Sequence, residues 1–82
     1  MIERPPLIDT FELPSREELL DVNVGDWVKL LFSDDGVERM WVKVTNLGER
    51  QWVGTLDNIP LFVDYKLGDV IKFHPLDVIA VM

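Results

Sequence analysis

The sequence predicts a small, mainly β domain of the α+β kind: a strongly bent five-stranded antiparallel sheet or an SH3-like barrel, with one short N-terminal helix. Three observations predict it. From Asp26 onward, short runs of Val, Ile, Leu, Phe and Trp are divided by Gly, Asp, Asn and Pro, the pattern of strands and tight turns. Within the first two runs apolar positions recur at every second residue, the spacing of one face of a strand. Finally, 82 residues of which 48% are hydrophobic supply one core, while five short strands are too few for a two-sheet sandwich.

The elements follow in order. Residues 1 to 14 contain Pro5, Pro6 and Pro14, which fix φ and remove donors, so this stretch reads as an extended arm whose Leu7, Ile8, Phe11 and Leu13 dock in part. Residues 15 to 82 form the single β-rich domain. In "PSREELLD" Ser15 and Glu18 make a capping box and start a helix over about 16 to 21, with Glu17 and Glu18 at the positive end of its dipole. Leu19, Leu20 and Val22 supply its apolar contact. Strands are predicted at about 26 to 33, 38 to 46, 50 to 56, 69 to 74 and 77 to 82. Asp35 and Gly36 mark the first hairpin and Gly48 the second. Pro60, in the irregular "DNIPLFVDYKLGD", argues against a central strand there.

"VGDWVKLLF" (24 to 32) is echoed by "LGDVIKF" (67 to 73). The match is shorter than the 20 or so residues of a true repeat. It reads as one way of starting a strand used twice: glycine permits the turn, aspartate satisfies free backbone donors, and an outward lysine follows.

Alternation assigns Val28, Leu30 and Phe32 of the first strand and Met40, Val42 and Val44 of the second to the core. Trp27, Lys29, Arg39, Trp41 and Lys43 then face outward, with Trp27 and Trp41 as candidate cross-strand neighbours. Two readings of that pair stay open. It forms a sticky patch for an acidic or aromatic partner, or it is a second core layer beneath Leu19, Leu20 and Phe11. Asp57 and Asn58 in "GTLDNIP" likewise read two ways: as a functional loop beside a glycine that admits close approach of a ligand, or as an Asx-turn bonding its own backbone.

Fifteen acidic residues against eight basic ones set the net charge at -7. Phosphate backbones are held chiefly by Lys and Arg, so nucleic acid and anionic lipid are disfavoured partners. Without cysteine, with the single histidine His74 and with only Ser15 and Ser33 as serines, no thiolate zinc site or nucleophile-elbow motif can be assembled. Asp34 and Asp35 lack the alternating oxygens of a calcium loop and read as turn residues. No cofactor and no enzymatic activity are expected. "MIERPPLIDT" lacks the basic-then-apolar order of a signal peptide, and no apolar run of about 18 residues follows, so a cytoplasmic location without membrane insertion is expected.

Taken together, "GDWVKLLF", "ERMWVKV", "GTLDNIP" and "LGDVIKF" resemble the pattern of the YegJ-like bacterial proteins, a family of small domains of unknown function. The resemblance covers about residues 24 to 82, and "PSREEL" is similar to the lead-in of short members. It implies a compact mixed β domain, bacterial and cytoplasmic, with no established catalytic residues. Arg39, Trp41, Asp57 and Asn58 occupy its recurrent motif positions.

The function expected from these features is a non-enzymatic protein-interaction module, of accessory or immunity type, that binds another protein through Trp27, Arg39, Trp41, Asp57 and Asn58. The alternative is a small-ligand or nucleic-acid binding β-barrel. Exposed sheet edges leave self-association open.

Overall fold

Helix α1 (Arg16–Leu20) begins where the capping box places it: the Glu18 N–H donates to Ser15 Oγ at 3.1 Å and the Ser15 N–H to Glu18 Oε1 at 3.1 Å. The structure is a computed structural model that describes residues 2 to 3, 13 to 33 and 37 to 82. The Asp35-Gly36 turn and the docking of Leu7, Ile8 and Phe11 lie outside the described residues. After α1 come β2 (Trp27–Ser33), β3 (Val37–Leu47), β4 (Trp52–Leu56), β5 (Val70–Phe73), a 3-10 turn (Pro75–Asp77) and β6 (Val78–Val81); Ile2–Glu3 forms β1. Each expected strand is present with ends shifted by a residue or two. The largest shift is at β4, because Arg50 and Gln51 belong to the turn after Leu47.

All neighbours are antiparallel, in the order β1-β2-β3-β4-β5. β6 pairs with β2 on the edge that β1 also uses: β6 takes Val28 to Leu30 and β1 takes Leu31 and Phe32. β5 and β6 thus lie at opposite edges of one open sheet, about 19 Å apart if it were flat. Only one 3-10 turn joins them, at about 2 Å of rise per residue. The sheet must therefore curl until its edges approach. Every long strand contributes to the resulting core: Val28, Leu30 and Phe32; Met40, Val42 and Val44; Trp52 and Leu56; Ile71 and Phe73; Val78. Trp52 and Phe73 meet edge to face at 6.1 Å.

The six core positions assigned by alternation in β2 and β3 are all buried. Two expectations are corrected. Leu20 makes no core contact, being 74% exposed; Val22 is buried and Leu19 packs against the core at its margin. Leu31, placed outside by alternation, is buried all the same, as is Ile79, and both lie apart from the main cluster. A register irregularity at Lys29/Leu30, where β6 pairs, makes room for Ile79.

The echoed stretches adopt one hydrogen-bond pattern. Gly25 and Gly68 have φ of 97° and 90°, the left-handed region that favours glycine. In each, the aspartate that follows closes a four-residue turn: the Asn23 N–H donates to Asp26 Oδ2 and the Asp26 N–H to Asn23 O. Lys66 and Asp69 repeat both bonds. Each glycine N–H then donates to a neighbouring strand, Gly25 to Val44 O and Gly68 to Leu56 O, at 2.8 Å in both. His74 and Asp77 use the same reciprocal pair, without a glycine, to start β6.

Candidate functional site

The β2–β3 register places Trp27 opposite Lys43, Lys29 opposite Trp41, and Leu31 opposite Arg39. The two tryptophans are therefore diagonal, not directly opposed, and each faces a lysine. Lys29 Nζ stands 4.8 Å from the Trp41 ring centroid and Lys43 Nζ 5.2 Å from that of Trp27, within cation–π range. Both indoles are half-buried. They are not a layer beneath the helix, because Leu19 of α1 and Val22 just after it pack against the core cluster, to which neither indole belongs.

The loop after β4 is fastened to this face. The Asp57 N–H donates to Trp41 O at 2.9 Å, and the Trp41 N–H donates to Asn58 Oδ1. A side-chain amide thus completes the β3–β4 ladder by one further pair. Asp57 Oδ2 accepts the Trp27 indole N–H at 2.7 Å. Neither residue forms the local Asx-turn: their partners lie 30 and 17 residues away. Trp27, Trp41, Asp57 and Asn58 are brought together, while Arg39 lies in the next outward row, opposite Leu31. Gly54 does not open space for a ligand. A Cβ there would stand 2.4 Å from Val42 Cγ1 and 2.6 Å from Lys43 O, so the gap is already filled by β3.

Further along, Glu38 fastens the same loop a second time. Its carboxylate accepts the Leu61 N–H at 2.8 and 3.0 Å and the Phe62 N–H at 2.8 Å. Val63, next in line, is buried in the core, and Tyr65 meets Phe32 edge to face at 5.1 Å. Between these anchors Ile59, Leu61 and Phe62 stand 75, 78 and 63% exposed. Sequence reasoning missed these three. Their signal was an apolar run around Pro60 with neither strand nor helix period, which no core position explains.

The Phe62 N–H, foremost, and those of Leu61 and Val63 hold the Glu38 carboxyl below the ordinary carboxylate range, outweighing the opposite effect of burial. A depressed carboxyl contributes stability that is fully present above its unfolded pKa, about 4.3, and is lost as pH falls through the folded value. Protection factors at Leu61, Phe62 and Val63, with the intrinsic pH dependence of exchange divided out, are therefore expected to be flat from neutral pH to about 5 and to fall below about 4. The Glu38→Gln variant should lack that step; an unchanged acid step in it would separate the loop from Glu38.

A concavity lies between α1, the β3–β4 turn and the 3-10 turn. This cleft of 340 Å³ is lined by Leu19, Val22, Leu47, Trp52 and Pro75 together with Arg16 and Glu49. Among the described residues no cluster of His, Asp or Glu is suited to a metal ion, and no helix is long and apolar enough to cross a membrane. No family model, curated protein or solved structure matches the chain.

Proposed function

We propose that the domain is a non-enzymatic protein-interaction module whose contact surface is the loop from Asp57 to Phe62 together with the outward face of β2 and β3. The observation that carries this reading is the fastening of that loop. Ile59, Leu61 and Phe62 are displayed to solvent on backbone pinned by Asn58, Asp57 and Glu38. An exposed apolar cluster raises the risk of aggregation and contributes nothing to the core. Held on fixed backbone, it loses little conformational freedom when a partner covers it, and preorganised apolar anchors of this kind dominate interface energies. The role as an accessory or immunity-type protein in a bacterial cytoplasm belongs to the same proposal, as does assignment of the curled sheet to the SH3-like class. The latter is supported by the run β2 to β5, the 3-10 turn, and the return of β6 to the edge of β2.

The test is affinity capture from the native host with the wild-type chain and with Leu61→Ser/Phe62→Ser. Both side chains are outward, so the variant should keep its urea midpoint while losing about 2 kcal/mol or more of partner affinity. Recovery of the same partners in the same amounts by the folded variant would overturn the proposal. The reading as a small-ligand barrel is favoured by one observation, the apolar cleft at Trp52. A ligand there would quench or shift Trp52 fluorescence without affecting capture.

A further inference from the structure

The protein is acidic, yet its charges are sorted. Among the described strands β2 to β6 the only carboxylate is Glu38, at the rim, while Lys29, Arg39, Lys43 and Lys72 alternate with buried neighbours and so point outward. Four of the eight basic residues thus share one sheet face, and the other described acids lie in α1, turns and loops, apart from Glu3 of β1, which pairs opposite Leu31. On β2 and β3 these cations form a checkerboard with apolar groups. Trp27–Lys43, Lys29–Trp41 and Leu31–Arg39 are successive outward rows, so cation and apolar side chain alternate both along and across the strands.

We propose that this face binds an extended acidic segment of a partner protein, its carboxylates on Lys29 and Lys43. The inference rests on the interaction-module reading and adds the chemistry of the partner. Two arguments support it. Each ammonium is already held over an indole, so pairing with a carboxylate costs less side-chain freedom than it would for a free lysine. The same stacking places a lysine where a nucleobase would have to lie, which removes the aromatic platform that single-stranded nucleic acid uses. Asp57 borders the face, but its carboxylate accepts the Trp27 indole N–H.

The experiment is a fluorescence-anisotropy titration with a short labelled peptide of glutamate interleaved with leucine and serine, and with an oligothymidylate of equal charge. Peptide binding is expected to weaken as salt rises from about 0.05 to about 0.3 M. It should weaken about tenfold in Lys29→Gln/Lys43→Gln. Arg50→Gln/Lys66→Gln removes the same formal charge from turns off this face and should leave affinity unchanged. Far-UV circular dichroism verifies that both variants stay folded. No peptide binding, equal loss in the two variants, or tighter binding of the oligonucleotide would overturn the inference. The interaction-module reading falls separately, by the capture experiment with the Leu61/Phe62 variant.

Discussion

Gly54→Ala is expected to lower the unfolding free energy by about 3 kcal/mol, the upper range for forcing one extra methyl into a packed core. For a domain of this size, whose total stability is about 4 to 12 kcal/mol, that is a large fraction. The added carbon would meet Val42 Cγ1 and Lys43 O. The first is a core side chain and the second a backbone carbonyl in the paired region of β3, where Lys43 lies opposite Thr55 and Val44 opposite Gly54. Neither can yield without opening the β3–β4 ladder. Urea denaturation reads the effect as a shift in midpoint. Val42→Ala in the same chain removes one of the two obstacles, so the double variant should lose less than the two single losses combined. A Gly54→Ala midpoint equal to wild type would show that the two strands are not in such close contact.

Phe32→Ala is expected to cost about 3 to 5 kcal/mol, the usual range for emptying a fully buried phenylalanine site. Phe32 is completely buried, lies opposite both Ile2 and Glu38, and holds Tyr65 edge to face. The loss should be local as well as global. Tyr65 is the last anchor of the segment that displays Leu61 and Phe62. Amide exchange over 61 to 65 should therefore rise more than in the paired residues of β4 and β5. Equal changes in the two regions would mean that Tyr65 does not anchor the loop. A variant of this kind also separates display from composition: it keeps every exposed apolar residue and loosens the backbone beneath it.

The faces of β2 and β3 were legible because period-two alternation is a local signal. Val28, Leu30 and Phe32, and Met40, Val42 and Val44, fall where it places them, while Leu31 does not. The short helix was legible through the Ser15/Glu18 pair, and the open curled sheet through the number of strands and the shortage of residues for a second layer. Register was not legible. Whether Trp27 meets Trp41 or Lys43 depends on a turn whose geometry two adjacent residues do not specify, and the structure pairs each tryptophan with a lysine. The roles of Asp57 and Asn58 were hidden for a different reason. Their partners lie 30 and 17 residues away in sequence, and a polar pair before a proline gives the same local signal whether it bonds itself or a distant strand. The outward apolar loop was missed because exposure of Leu61 and Phe62 depends on Glu38 holding their backbone, a contact that no periodicity encodes.

The three aspartate-closed turns also bear on how the chain finds its fold. Each closes between residues only three apart. Loops that short can form in well under a microsecond, long before the pairing of β2 with β6, which must close most of the chain length. The first two turns carry more than a change of direction. The Gly25 N–H and Asp26 C=O together bracket Val44, and the Gly68 N–H and Asp69 C=O bracket Leu56. Each turn therefore offers its neighbour strand a matched donor and acceptor at one position, and a one-residue slip would leave both unmatched and turn the strand's core residues outward. In the conformational search these small loops act as nuclei that select alignment early, so that the slow collapse of the sheet starts from few wrong pairings.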